Sequence, residues 1–147
     1  MLIYLASSEK MNPGQLDDLV NRQCGLLGVS ETSADMRDLV ARRADDPRAA
    51  DAVALFCYQA RKWIGAFAAA LGGLDTLVFS GGIGEHAAEV RAEICQGLQF
   101  LGLRVDPARN AASAAVISDD NAPARIRVIP TDEESMIARI VQQLIGA

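Results

Sequence analysis

Cysteine, histidine and aromatic residues are scarce in this sequence, and each scarcity excludes a class of site. The three cysteines lie far apart without a Cys-x-x-Cys pair, whereas disulfide frameworks and zinc sites need more. Cys57 and Cys95 stand among apolar residues, which predicts buried thiols in a reducing cytoplasm. The sequence has one histidine, His86, and the residues around it do not identify a Ser–His–Asp or Cys–His set. Few aromatics with abundant alanine favour closely packed helices over an all-β sandwich.

Basic clusters and long apolar runs are also lacking. The net charge of −5 and the scattered Lys and Arg residues argue against nucleic-acid binding and against an anionic membrane surface. The apolar start, residues 1–6, is too short for a signal peptide or a membrane span. Arg61 and Lys62 interrupt the apolar stretch 56–71, so it is not expected to span a membrane. We therefore expect a soluble, cytoplasmic protein.

The first half of the chain has the periodicity of helices. Asn12 is expected to cap one helix, with Pro13 at its first position and Gln15 giving a partial capping box. A loop is expected over 28–33, followed by a helix that carries Met36 and Leu39. The longest pattern runs from about Pro47 to Leu71, and its alanine-rich end predicts packing on several sides.

The second half alternates strand and helix patterns. A strand covered on both faces is expected over 76–79, then a helix from Glu85 to about Phe100. The segment 107–123 is expected to leave the core. A strand over 126–129 then leads to a helix with inward Met136, Ile137, Ile140, Val141 and Leu144. The order predicts one α/β domain over 1–147 with parallel strands, helical over 1–73 and strand–helix over 74–147.

A glycine turn, Gly81-Gly82-Ile83-Gly84, separates the first strand from the next helix. Glycines permit positive φ and close approach of a ligand, and a helix start favours phosphate or ribose oxygens. Glu85 is suited to accept hydrogen bonds from sugar hydroxyls or helix N–H groups. A tight turn without a ligand is the alternative. His86 either lines this site through its backbone, acts as a base, or is simply exposed.

A dinucleotide site is a second alternative for the same residues. Gly82-Ile83-Gly84-Glu85-His86-Ala87 satisfies the G-x-G-x-x-A pattern, and Asp106 follows at a distance suited to a ribose carboxylate. Against this, a dinucleotide fold places the turn near the start of its domain, whereas helices fill the half before it.

An acidic segment, Thr131-Asp132-Glu133-Glu134, starts the last helix. It fits a capping box, in which the Thr131 side chain caps the helix and the Glu134 side chain bonds back to the Thr131 backbone. A purely structural explanation therefore suffices. However, both strands should end at one edge of the sheet, where ligands of α/β proteins bind. A carboxylate there can hold magnesium, directly or through water.

A series of segments in this order resembles the acetate kinase family, which includes propionate and butyrate kinases. The series comprises Gly25-Leu26-Leu27-Gly28, Ser33-Ala34-Asp35-Met36-Arg37-Asp38, Arg61-Lys62 with Ile64-Gly65, Phe79 to Glu85, Val90-Arg91, Gly97 to Gly102, and Ile129 to Glu134. The resemblance implies an actin-like, ribonuclease H-like fold, of which this chain matches only the carboxy-terminal part. It also implies an ATP- and Mg²⁺-dependent enzyme that converts acetate to acetyl phosphate and forms a homodimer.

By the same resemblance, the nucleotide site comprises two segments. Asp35, Met36 and Arg37 would contact the adenosine part of ATP or ADP. The segment Gly82, Ile83, Gly84, Glu85 and His86 would line the nucleotide site, and Glu133 would help hold Mg²⁺. The family usually has asparagine where His86 stands, which leaves a backbone role intact.

The family's remaining functional residues have no counterparts in this sequence. These are the amino-terminal phosphate loop, the carboxylate-binding arginine, the catalytic aspartate, and the histidine and arginine that stabilise the transition state. Since phosphoryl transfer depends on such positioned groups, no catalytic residue is expected here and the chain is expected to be inactive alone. A non-catalytic nucleotide-binding or dimerisation domain is the alternative, with the helix 56–71 as a dimer surface.

Overall fold

The first of two compact units is helical and covers Met1–Trp63. The computed structural model describes residues 1–145. Helices of this unit are α1 (Leu2–Ser8), α2 (Pro13–Asp18), α3 (Leu26–Ser30), α4 (Met36–Arg42) and the greater part of α5 (Pro47–Leu71). A π-helical turn, Leu19–Gln23, continues α2.

Local sequence signals set most of these helix boundaries. The Asn12 capping box is confirmed: Oδ1 accepts from the Gln15 backbone at 3.0 Å, and Gln15 Oε1 accepts from the Asn12 backbone at 2.9 Å. In α4, Met36 and Leu39 are buried as expected. The loop expected over 28–33 is partly wrong, because α3 occupies the segment up to Ser30 and ends at Glu31 in the left-handed conformation.

The second unit begins at Ile64 and contains a small parallel sheet. Strand β1 (Thr76–Phe79) has the predicted bounds, whereas β2 (Arg125–Val128) begins at Arg125 rather than at Ile126. The parallel pairing and the α/β class are confirmed. The other elements of this unit are α6 (Gly81–His86), α7 (Ala88–Cys95), a 3₁₀ turn (Gln99–Leu101), α8 (Pro107–Ala111) and α9 (Glu133–Ile145).

The segment 107–123 belongs to the core of this unit, so the expected excursion is wrong. Ile117 is fully buried, and its backbone N–H donates to the Ile126 carbonyl at 2.9 Å. Val116 forms an antiparallel bridge with Arg127 of β2. The prediction failed because the segment is mostly polar. Its apolar pair, Val116 and Ile117, nevertheless pairs with the edge of β2 that would otherwise be open.

Several surfaces predicted to be covered are exposed. The apolar side chains of α9 expected to point inward lie at the surface, with Ile137 62% and Leu144 75% exposed. In α5, Phe67 is 61% exposed, and Val78 of β1 is 47% exposed. An amphipathic pattern defines an apolar face, but it does not say which element packs against that face. Across residues 1–145, no helix combines the length and apolar character needed to cross a membrane.

Candidate nucleotide site

The segments that follow β1 and β2 leave the sheet at the same edge. The parallel register pairs Thr76 with Arg125 and Phe79 with Val128, so both strands end together. The Ile129 backbone N–H also donates to the Phe79 carbonyl at 2.9 Å, which extends the pairing beyond β2. The sequence-based expectation that the glycine turn and the acidic segment share one edge is therefore confirmed for this unit.

The glycine turn is itself helical. Ser80 is extended, Gly81 has φ of 70°, and α6 begins at Gly81 rather than at the expected Glu85. The helix breaks at Ala87, whose φ and ψ are −100° and 79°, and α7 ends at Cys95 instead of near Phe100. Glycine is a poor helix former, so its density predicted a turn, but side-chain contacts hold these residues in a helix.

Glu85 connects the glycine helix to the end of the second strand. Its Oε1 accepts from the Gly81 N–H at 2.8 Å and from the Thr131 N–H and hydroxyl, both at 2.9 Å. The bonds from Thr131 are the main cause that lowers the pKa of this half-buried carboxyl, and the Gly81 bond adds to it. Glu85 was expected to accept from sugar hydroxyls or from helix N–H groups, and the bond from the Gly81 N–H confirms the second.

Two of the glycines face different surroundings. A Cβ at Gly84 would lie 3.2 Å from the Phe79 carbonyl carbon, so α6 packs closely on the end of β1 there. At Gly82 a Cβ would meet no atom within 4 Å, and φ is not positive. Nothing in the described part of the chain therefore requires glycine at position 82. His86 is exposed at the end of α6, not at a helix start.

The acidic segment begins α9 with a different cap from the one expected. Asp132 caps the helix, since its Oδ1 accepts from the Ser135 N–H at 3.0 Å and its carbonyl accepts from the Met136 N–H. Hydrogen bonds from Ser135 lower the pKa of Asp132. The expected capping by Thr131 is wrong, because the Thr131 hydroxyl donates to Glu85 instead. Glu133 is left exposed in the first turn.

The Asp35–Arg37 segment lies in the first unit and starts α4. Asp35 caps this helix through the Arg37 N–H at 2.8 Å, and Arg37 Nη2 donates to Asp35 Oδ2 at 2.6 Å. Hydrogen bonds from Arg37 lower the pKa of Asp35 to about 2. The exposed ion pair predicted from the sequence is confirmed, with the Arg37 side chain 87% exposed. Met36 is buried, so any ligand contact there involves its backbone.

Two buried residues near these segments, Ser30 and Arg91, were not singled out as functional from the sequence. Ser30 is fully buried, donates to the Ser33 carbonyl and accepts from the backbone of the following loop, which shapes the approach to Asp35. Arg91 is also fully buried and contacts Asn110 and the end of α6. The sequence did offer a signal for Arg91, because Val90 and Ala92 beside it are apolar. A charged side chain that is buried among apolar residues usually has specific partners.

Glu85→Gln is expected to flatten the dependence of stability on acid pH. Because folding depresses the pKa of Glu85, its contribution is complete above its usual value of 4.5 and is lost as the pH falls through the lowered folded value. The thermal midpoint of the wild-type chain should therefore fall more steeply than that of E85Q below pH 4.5. At pH 7 the variant should melt below the wild type.

Thermal unfolding followed by circular dichroism from pH 7 to pH 3 measures this difference, with the exposed Glu89→Gln as the matched control. The bonds that depress the pKa values of Asp35 and Asp132 are common to all three proteins, so the difference isolates Glu85. Parallel midpoint curves for E85Q and the wild type would contradict the role of Glu85 in the fold.

Comparison with known proteins shows the family. The model of the acetokinase family matches residues 1–139. A propionate kinase from Citrobacter rodentium is 50% identical over 145 residues, which cover 98% of this chain and 36% of that protein. An acetate kinase from Rhodopseudomonas palustris is 47% identical over 146 residues, again covering 98% and 36% of the two.

Solved structures agree with these relatives. The acetate kinase of Porphyromonas gingivalis matches with a TM-score of 0.86 and 34% identity, covering 98% of this chain and 37% of that one. The acetate kinase of Entamoeba histolytica matches with a TM-score of 0.85 and 30% identity, covering 97% and 39%. The chain thus spans little more than a third of the length of the relatives it matches, and it belongs to the acetokinase family.

Proposed function

We propose that this chain is the carboxy-terminal nucleotide-binding part of an acetate kinase-type phosphotransferase. The complete enzyme would transfer a phosphoryl group between ATP and acetate within an actin-like, ribonuclease H-like fold. One observation carries the proposal: α6 presents an open glycine surface at Gly82, and Glu85 holds it beside the acidic start of α9.

The open surface at Gly82 is suited to a ligand that approaches the backbone. Strand β1, whose last residue Phe79 is buried, leads into α6, and Gly84 packs against Phe79, so the helix has a defined position on the sheet edge. Gly82 is exposed, and among residues 1–145 no side chain or neighbouring segment lies within 4 Å of where its Cβ would be, so its backbone is accessible. We assign the nucleotide to this surface, with Ile83 and the exposed His86 beside it.

Magnesium fits the chemistry of this edge. Asp132, Glu133 and Glu134 are all exposed and acidic, so nucleotide phosphates would be repelled there without a cation between. Within residues 1–145, no cluster of three or more His, Cys, Asp or Glu could form a metal site. Mg²⁺ is commonly held by one or two carboxylates together with substrate phosphates and water. We assign Glu133 to that role, because Asp132 already caps α9.

Asp35, Met36 and Arg37 are proposed separately as contacts of the adenosine part. Their local structure supports exposed polar groups on a fixed helix start: Asp35 is the cap, and the guanidinium of Arg37 is held by both carboxylate oxygens. The side chain of Met36 is buried in its own unit, so the proposal assigns this residue a backbone contact.

MgADP is expected to protect the chain against thermal unfolding. A ligand at 100 times its dissociation constant stabilises the folded state by about 2.7 kcal/mol, which raises the midpoint by roughly 5 to 10 °C for a chain of this size. We expect the rise with ADP and Mg²⁺, a smaller one when EDTA removes the metal, and no rise with Mg²⁺ alone. Glu133→Gln should reduce the effect of Mg²⁺, whereas Glu89→Gln should not.

NAD serves as the competing ligand in the same titration. The carboxylate that a dinucleotide site would use on ribose, Asp106, instead caps α8 by accepting from the Arg109 N–H at 2.9 Å. We therefore expect no protection by NAD. Protection by NAD but not by ADP would replace the proposed function with the dinucleotide alternative, and protection by neither would reject both.

A homodimer is a second proposal, supported by the exposed apolar residues of α5. Trp63, Phe67 and Leu71 are 56%, 61% and 79% exposed and follow one another at helical spacing. Sedimentation velocity should show a dimer for the wild type and a monomer for Phe67→Glu. A monomeric wild-type chain would contradict this proposal without affecting the nucleotide site.

A further inference from the structure

Arg91 is a fully buried arginine with neutral partners. Its Nε donates to Asn110 Oδ1 at 2.8 Å, and Nη2 donates to the Asn110 carbonyl at 2.7 Å and to Ser113 Oγ at 3.1 Å. Nη1 donates to the carbonyls of Gly84 and Glu85, both at 2.9 Å. Burying a guanidinium is costly unless its donors are hydrogen-bonded, so these contacts indicate a specific structural task.

The contacts of Arg91 lie at the break between α6 and α7. The Ala87 N–H donates to the Ile83 carbonyl and the Arg91 N–H donates to the Ala87 carbonyl, and the chain leaves helical geometry at Ala87. The last carbonyls of a helix lack partners within it. Arg91 reaches back from α7 and supplies donors to two of them, those of Gly84 and Glu85.

Residues from α8 and its end complete the same contact set. Asn110 donates through Nδ2 to the Ala88 carbonyl at 2.8 Å, on the α7 side of the break. Ser113 Oγ donates to the Glu85 carbonyl at 3.1 Å, on the α6 side. Ser113 adopts φ of 47°, a left-handed conformation that non-glycine residues seldom take. Ser113 thus adopts an unfavourable backbone conformation at the point where its hydroxyl links Arg91 to the Glu85 carbonyl of α6.

We propose that Arg91 is a positioning residue that, with Asn110 and Ser113, fixes α6 relative to α7 and thereby holds the open face of Gly82 in place for the nucleotide. The part concerning nucleotide rests on the proposed function, whereas the part concerning α6 does not. Arg91 is enclosed by its own partners, so it acts through the backbone of Gly84 and Glu85 and not by touching the ligand.

Hydrogen exchange of the full chain, with a parallel ADP titration, tests this proposal. Arg91→Lys keeps the charge but loses the planar fork that reaches several acceptors at once. We expect amide exchange over residues 84–88 to accelerate roughly tenfold or more, while β2 changes by less than about twofold. The affinity for MgADP should fall by about tenfold or more. The exposed Arg104→Lys is the matched control and should change neither.

Ser113→Gly provides a second test that does not disturb the buried charge. Glycine accepts the left-handed conformation but removes the hydroxyl, so faster exchange should again be confined to residues 84–88. Unchanged exchange there in both variants, or an equal increase in β2, would overturn the proposal; if R91K does not fold, Ser113→Gly decides. Localised exchange with no ADP binding by the wild type would reject the nucleotide site and still support the role of Arg91 in positioning α6.

Discussion

Replacing Gly82 by leucine is expected to weaken MgADP binding at least about tenfold while leaving the fold as stable as before or more so. The position is exposed, its φ is not positive, and a Cβ would meet no atom within 4 Å. Leucine in place of glycine in a helix is favourable by about 0.5 to 1 kcal/mol. A side chain there would, however, occupy the space assigned to the nucleotide. Isothermal titration with ADP and thermal unfolding measure the two effects separately.

Gly84→Ala is the contrasting variant. Its Cβ would lie 3.2 Å from the Phe79 carbonyl carbon and 3.4 Å from the Phe79 Cβ, so α6 or the end of β1 must shift. We expect this variant to melt below the wild type, in contrast to G82L. Unchanged ADP affinity in G82L would place the nucleotide elsewhere on the chain, and a lower midpoint in G82L would show that position 82 has a packing role.

The chain alone is expected to give no measurable phosphoryl transfer from ATP to acetate. Catalysis of this reaction depends on cations placed around the transferring phosphoryl group, and a single arginine in this role is worth about 10³- to 10⁵-fold. Arg91 cannot serve, because it is buried and engaged with internal acceptors. Arg37 and Arg109 are held by Asp35 and Asp120. The phosphate loop and catalytic aspartate that the family resemblance implies for the complete enzyme have no counterparts in this sequence.

A coupled assay that detects ADP in the presence of acetate, ATP and Mg²⁺ measures this directly. The acetate kinase of Rhodopseudomonas palustris, at the same molar concentration, is the positive control for the assay. Glu133→Gln distinguishes a contaminant from the chain, since residual turnover that survives this substitution does not use the proposed magnesium ligand. Turnover by the chain that E133Q abolishes would contradict the expected inactivity and locate catalytic groups within these 147 residues.

Several of the predictions that were confirmed depend on interactions between residues close in sequence. The Asn12 capping box lies within four residues, and the bounds of β1 follow from a short apolar run ended by glycines. The ion pair of Asp35 and Arg37 also forms within one helix turn. Because such features depend on the local backbone, they can be predicted from the sequence without knowledge of the fold.

The errors arose where a distant residue competes for the same group. Thr131 was expected to cap α9, but Glu85 takes its hydroxyl, and Asp132 becomes the cap. The glycine segment was expected to be a turn, but it is helical: Glu85 accepts from the Gly81 N–H at one end, and Arg91 donates to the Gly84 carbonyl at the other. The apolar face of α9 was expected to be buried, but burial requires an element that covers it, which periodicity does not supply.

The sequence by itself determined the family, the α/β order of elements and the two segments at the sheet edge, because these depend on residue types at fixed spacing. Only the tertiary structure decided which groups in those segments bond internally and which stay exposed. Glu85 and Arg91 satisfy internal donors and acceptors, whereas Gly82 and Glu133 remain open. The physical reason is that hydrogen bonds across 46 residues, as between Glu85 and Thr131, exist only once the two strands pair in their parallel register.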